Sequence, residues 1–412
     1  VGAAGTLAQG TADALTLRRR ASRDLSVAGS FCAPSSGSAP VQPPGYVTKD
    51  PRFGCEGHLM VRRSRRNDGG VAKTSVLPGA DIAAGIGGAQ PLPVLEGSVA
   101  DLLTTAAVGQ GNLLAILDLA AQCKLDPYAG YDLLRGDTVV LYFNKPSTRT
   151  RISFETAVAR LGGTPLSVGP HELQLDRGET IEDTARVISG YARAFVIRTF
   201  SDEDVRRFAA AATIPVINAL TDKHHPCQSI GDILTLRELW GGFTGHRLAF
   251  VGDGDNVAHS LLEACSLLGV DIAVATPPGY GPDPDIVAGA LRAARANGST
   301  VVVTNDPTEA VSGADAVYTD VWLSMGDSEL ERATRIAAFK PYQVDSRLMA
   351  HAARDAVFLH CLPAHRGEEV SAEVFDGPQS RVFHQAANRL PTEQAILWAL
   401  LGRRLAPTTP SS

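Results

Sequence analysis

From about residue 97 the chain repeats one pattern: a short apolar run rich in β-branched residues, a turn, then an amphipathic stretch of helical period. The runs DTVVLYF (137–143), TPLSV (164–168), AFVIRT (194–199) and IPVINAL (214–220) predict four strands. HRLAFVG (246–252), DIAVATP (271–277), STVVVTN (299–305), DAVYTDVW (315–322) and AVFLHCL (356–362) predict five more. Helix starts are marked where Thr180 precedes IEDTARVISGYA and Ser201 precedes DEDVRRFAAAA. Each has an Asp three residues on, Asp183 and Asp204, in the manner of a capping box. A helix SIGDILTLRELW from Ser229, stopped by Gly241-Gly242, separates the two groups of strands. Strands alternating with helices at this spacing build parallel sheets covered by helices. The expected fold is therefore α/β, with two doubly wound parallel-sheet domains at 96–238 and 239–385, and a last helix over 386–402.

The chemically suggestive residues fall just after the strands, where open parallel sheets bind ligands. The run Ser147-Thr148-Arg149-Thr150-Arg151 follows the first strand and opens a helix. A helix start offers free N–H groups and a positive dipole end, and hydroxyls and guanidiniums added there suit a phosphate or carboxyphosphate. Capping by Ser147 alone would account for one hydroxyl but not the whole run. Arg198 ends the third strand, and His225 and Gln228, in HPCQ, follow the fourth; an imidazole and an amide can polarise a carbonyl, although a lone His is more often packed or capping. Gly252 and Gly254 in GDGDN resemble a dinucleotide loop, but Val257 stands at the third glycine, and no acid closes the next strand for a ribose. Asp255 and Asn256 instead suit the amino-acid part of a substrate. Asp320 and Ser324 in TDVWLSMGD could hold an ammonium and a carboxylate. Cys361, at a strand end, reads either as an inert buried thiol or as a group at the reacting centre. His171, His246 and His351 have no partner motif and read as structural or surface residues. A cleft between the two domains would gather the clusters into one site for two small substrates.

Charge divides the chain differently. Residues 1–95 hold 11 Lys and Arg against 6 Asp and Glu, whereas the whole 412-residue chain carries −6. This first segment is rich in Ser, Gly, Pro and Arg and has no sustained period, so it is expected to be largely disordered. It reads as an organellar transit peptide, as a segment for an acidic partner, or as non-native sequence ahead of the true start, since the chain opens on Val1. The acidic remainder gives no electrostatic case for nucleic acid, and no apolar run is long enough to span a membrane. Six scattered cysteines without ligand spacing argue against a disulfide framework or a zinc site and point to the cytoplasm, or to the mitochondrial matrix if the segment is a transit peptide.

Taken together, STRTR, IRTF and HPCQ, followed by SMG at 324–326 and HCLPAHRGEEV at 360–370, resemble the aspartate/ornithine carbamoyltransferase family over about residues 97–402, and specifically its ornithine branch. The resemblance implies transfer of a carbamoyl group from carbamoyl phosphate to the δ-amine of L-ornithine, giving citrulline and phosphate in arginine metabolism. It implies a homotrimer, with no metal or organic cofactor. By that likeness Ser147, Thr148, Arg149 and Thr150 cradle carbamoyl phosphate, with Arg198, His225, Gln228, Cys361, Leu362 and Arg389 around the same ligand. Gln174 matches a residue lent to a neighbouring subunit, and Asn256, Asp320, Ser324 and Met325 match ornithine-binding positions. Arg149, His225, Asp320 and Cys361 are the implied catalytic set. Two residues depart from the family pattern: Asp255, where an asparagine is usual, and Asp176, where a glycine is usual. A carbamoyltransferase for another amine, such as putrescine or N-acetylornithine, and a binding homologue without turnover are the alternatives. The SMG run favours free ornithine.

Overall fold

A computed structural model describes residues 100–323 and 329–402; the expectations for residues 1–95 and for Ser324 and Met325, and the side chain of Asp176, lie outside it. Among the described residues, nine strands form two wholly parallel sheets. The first contains β1 (Thr138–Phe143), β2 (Thr164–Val168), β3 (Ala194–Arg198) and β4 (Val216–Leu220), in the order β2-β1-β3-β4. The second contains β5 (Arg247–Val251), β6 (Asp271–Ala275), β7 (Val301–Thr304), β8 (Ala316–Thr319) and β9 (Val357–His360), in the order β7-β6-β5-β8-β9. The predicted runs thus coincide with the strands.

The apolar runs are continuous because helices cover both faces of each parallel sheet. Along β1, Val139 and Leu141 enter one apolar cluster while Val140 and Tyr142 enter another on the opposite face, the period-two alternation of a strand. The larger cluster runs without interruption from β1 and β3 through helix Pro226–Trp240 to β5 and helix Asn256–Leu268, so the two sheets share a packed seam. Strands at the sheet edges, such as β2 and β7, are only partly buried.

The connecting helix starts at Pro226, three residues before the expected Ser229. Proline fixes a helical φ and its missing N–H falls where the first turn has no intrahelical acceptor, so it begins the helix rather than blocking it. The stop falls at Gly241, whose φ of 76° suits glycine and whose N–H closes on the Arg237 carbonyl at 2.9 Å. Thr180 and Ser201 do cap their helices, through the amides of Asp183 and Asp204, but Asp183 turns its carboxylate to Arg186. The last helix, Val382–Leu401, packs on helices Gln110–Leu125, Arg149–Arg160 and Pro226–Trp240 around the first sheet.

Each sheet order reverses direction once, between β1 and β3 in the first and between β5 and β8 in the second. Loops leaving the carboxyl ends of such strand pairs diverge to opposite faces and open a crevice. Among the described residues no helix is long and apolar enough to cross a membrane.

Candidate active site

Loops from both reversal points line one cavity of about 520 Å³. Its first wall is cationic. Ser147, Thr148, Arg149 and Thr150 leave β1 and begin helix Arg149–Arg160. Neither hydroxyl caps this helix: Thr148 takes the capping position with α-region backbone and no side-chain bond to the first turn. Ser147 therefore does not act as the cap.

Three guanidiniums converge here. Arg198, at the end of β3, is buried, and its Nε has no partner. Burial, with the nearby Arg389 and Arg149, lowers its pKa to about 10. Burial likewise lowers that of Arg149, which reaches across the cavity to donate to the Leu362 carbonyl. Arg389, 3 % exposed, arrives from the last helix and donates to Gln228 Oε1, to Thr150 Oγ1 at 3.2 Å and to Glu393. A cluster of three like charges with one direct carboxylate partner has the charge and donors to hold an anion.

His225 stands at the start of helix Pro226–Trp240 with Nδ1 buried and unpartnered. Burial, then Arg389, Arg198 and Arg149, push its pKa well below the usual histidine range, so the ring is neutral. Gln228 lines the cavity, but its amide is partly committed: the carbonyl oxygen accepts from Arg389, and Nε2 donates to Asp232 at 2.8 Å. At most one amide N–H remains for a substrate carbonyl. Asp232 also accepts from Gln385 and from Tyr318, and burial raises its pKa to about 6.

The second wall is acidic. Asp255, Asn256 and Val257 open helix Asn256–Leu268 after β5, and Asp320 follows β8. The second glycine of GDGDN serves packing: a Cβ on Gly254 would lie 2.4 Å from the Pro282 nitrogen, so only glycine lets this loop meet residues 280–282. Cys361 follows β9 and donates its S–H to Asp320 Oδ1 at 2.8 Å. Burial and the Asp320 charge push the thiol well above its ordinary pKa, which makes it a neutral donor. Leu362 is held at φ 62°, uncommon for a branched side chain, with its N–H on His360 Nδ1 at 2.8 Å. That bond leaves the His360 Nε2–H for the buried Glu369, 3.2 Å away.

The cavity thus brings together Ser147, Thr148, Arg149, Thr150, Arg198, His225, Gln228, Asn256, Asp320, Cys361, Leu362 and Arg389. Gln174 lies outside it: the residue is exposed, with Arg177 Nη1 3.5 Å from its Oε1. His246, read as structural, stacks on Trp240 and faces Asp315 at 3.2 Å. Sequence reasoning missed Asp232, Tyr318, Gln385 and Glu393, which hold the cationic wall from behind. A signal existed for two of them: Asp232 and Glu393 stand four residues after Gln228 and Arg389, on the same helix face. Among the described residues, two groups of side chains have the donor types for a metal ion, Asp320–His360–Cys361 and His365–Glu368–Glu369. In the first, the thiol is neutral and both His360 nitrogens are engaged.

Comparisons with known proteins match the two halves of the chain in turn. Residues 100–238 match the carbamoyl-P binding domain of aspartate/ornithine carbamoyltransferase, and residues 244–400 match its Asp/Orn binding domain. The chain is 48 % identical over 301 residues to ornithine carbamoyltransferase of Bacillus subtilis, covering 73 % of this chain and 93 % of that protein. Against the ornithine carbamoyltransferase of Acidothermus cellulolyticus the identity is 52 % over 287 residues, 70 % and 92 % of the two chains. Among solved structures, ornithine carbamoyltransferase from Pyrococcus furiosus superposes with a TM-score of 0.71 at 46 % identity, over 74 % of this chain and 97 % of that one. With both domains matched in order, and a cationic wall facing an acidic one across the cleft, the chain belongs to the aspartate/ornithine carbamoyltransferase family.

Proposed function

We propose that this chain transfers the carbamoyl group of carbamoyl phosphate to the δ-amine of L-ornithine, releasing L-citrulline and phosphate. The observation that carries the reading is the polarity of one cavity: three guanidiniums on one wall suit an anionic carbamoyl donor, and carboxylates on the other suit a cationic amine. Ser147, Thr148, Arg149 and Thr150 hold the phosphate, with Arg389 behind them. Arg198 and the neutral His225 polarise the carbamoyl oxygen, and Gln228 adds its remaining N–H. Asn256, Asp320, Ser324 and Met325 bind ornithine, and Asp320 orients the δ-amine. Cys361 fixes the Asp320 carboxylate through its S–H. The δ-ammonium gives a proton to solvent before the neutral amine attacks the carbamoyl carbon. Negative charge grows on the carbamoyl oxygen and then on the departing phosphate as its C–O bond breaks, and the attacking nitrogen's second proton leaves with that phosphate. Arg149 and Arg198 stabilise both stages.

In this reading residues 96–238 bind carbamoyl phosphate and residues 239–385 bind ornithine, with the last helix, 386–402, returning to the first domain. The assembly is a homotrimer in which the exposed Gln174 completes a neighbour's carbamoyl-phosphate site. The compartment is the cytoplasm, a reading supported by the scattered cysteines. The basic segment 1–95 is dispensable for catalysis. The test is citrulline formation by the full chain and by a version starting at residue 96. Both are expected to form citrulline with ornithine, and neither to release phosphate above the amine-free blank with putrescine or N-acetylornithine. No citrulline above blank refutes the reading.

A further inference from the structure

Glu393 is a buried carboxyl to which the proposed chemistry gives no role. It stands one helical turn after Arg389 on the last helix, fully buried, and its Oε1 accepts from Arg389 Nη2. The same guanidinium donates to Gln228 Oε1 and to Thr150 Oγ1, and it lines the cationic wall of the cavity. Among the described residues it is the one guanidinium of that wall with a carboxylate in hydrogen-bond contact.

Packing gives little reason for this carboxyl, since a buried ion pair is often no more stabilising than apolar side chains of the same volume. For anion binding it works in the wrong direction: a carboxylate on the far side of Arg389 repels a phosphate on the near side. A group that weakens binding has a use when the ligand must also leave. The carbamoyl donor brings a phosphate group in, and the reaction sets the same group free, so a wall that grips the donor also retains the product.

Other groups meet the pair from each neighbouring helix. Thr150 and Ser153 face it from helix Arg149–Arg160. The connecting helix supplies Gln228, the Cys227 thiol, which burial keeps neutral, and Asp232. Lys124 of helix Gln110–Leu125 is committed to Glu238 at 2.7 Å and to Asn388 at 2.8 Å. Burial raises the Glu393 carboxyl to about 7, against the opposing effects of Arg389 and Ser153. It is therefore ionised at pH 8.5 and protonated at pH 5.

We propose that Glu393 is a positioning residue that sets the grip of the cationic wall: its carboxylate holds Arg389 in place and offsets part of its charge, so that phosphate is bound loosely enough to leave as product. The proposal rests on the carbamoyl-transfer reading above and deepens it.

The test is E393Q in the full chain, which keeps an oxygen acceptor for Arg389 and removes the charge. Inorganic phosphate is the probe, as an inhibitor of citrulline formation competing with carbamoyl phosphate at pH 8.5. E393Q is expected to lower both the phosphate Ki and the KM for carbamoyl phosphate by about tenfold. A carboxyl that only held Arg389 in place would give the opposite, because both constants rise as the guanidinium loosens. Unchanged or raised constants in E393Q overturn the proposal. Sulfate, a dianion throughout, then gives the pH signature by calorimetry from pH 8.5 to pH 5. The E393Q advantage should close as the wild-type carboxyl takes up its proton, and a gap constant over the whole range also overturns the proposal. If E393Q does not fold, wild type alone decides: its sulfate Kd should rise about fivefold or more from pH 5 to pH 8.5, and a flat profile overturns the proposal. Citrulline formation by the wild type separates the two levels. Its absence removes the carbamoyl-transfer reading and this proposal with it, whereas its presence with unchanged constants in E393Q removes the proposal alone.

Discussion

His224 is a residue at which pH should act strongly on the fold. It precedes His225 at the junction of the two domains, 5 % exposed, with Nδ1 2.6 Å from Asp202 and Nε2 3.4 Å from Glu263. Asp202 starts helix Asp202–Ala211 of the first domain, and Glu263 lies on helix Asn256–Leu268 of the second, so the imidazolium joins the two. Burial alone would lower its pKa, but the bonds to Asp202 and Glu263 outweigh burial and raise it to about 9. A histidine whose folded pKa exceeds its unfolded value stabilises fully below the unfolded value, near 6.5, and loses that contribution as pH rises through about 9. Linkage gives about 3 kcal/mol at pH 6, about 1.4 at pH 8 and about 0.2 at pH 9.5. Urea denaturation of wild type and H224Q at those three pH values measures it. The difference between the two proteins should shrink by about 3 kcal/mol from pH 6 to 9.5, while groups common to both cancel. A difference that stays level or grows with pH would refute the ion-pair account.

Other outcomes follow from the same geometry. The three clustered guanidiniums predict strong stabilisation by their anion: at one hundred times Kd, carbamoyl phosphate should add about 2.7 kcal/mol, read as a rise in Tm that R149A abolishes. Because the Cys361 thiol is neutral and bonded to Asp320, iodoacetamide should inactivate slowly at pH 7.5 compared with a free thiol, and C361S should keep activity within about tenfold. D232L should cost at least about 1–3 kcal/mol in denaturant stability, because the two amides and the Tyr318 hydroxyl now bonded to Asp232 would lose their acceptor. Wild-type stability in that variant would mean the network carries no weight.

The nine strands, and the clusters beyond their carboxyl ends, were legible in the sequence for a physical reason. Strands buried on both faces need continuous apolar runs, and ligand-binding residues gather where those runs stop. The Pro226 start was not legible, since a proline after a strand reads equally as a loop. The commitment of the Gln228 amide and the neutral state of the Cys361 thiol were also hidden, because both depend on neighbours far away in the chain.

The largest hidden feature is the polar network behind the cationic wall. Asp232, on the connecting helix, accepts from Gln228, from Gln385 on the last helix and from Tyr318 on β8, so one buried carboxyl ties three segments spanning more than 150 residues of sequence. Arg389 adds a second tie between the last helix and the phosphate-binding turn through Thr150. Such a network has no periodicity, and each member read singly is a polar residue on a mostly apolar helix. Its consequence is functional: the last helix, though remote in sequence from the first domain, fixes the Arg389 guanidinium and the Gln228 amide in one arrangement. A buried network of this kind rigidifies only while every member is satisfied. Loss of the last helix should therefore disorder the anion wall before it affects the acidic one.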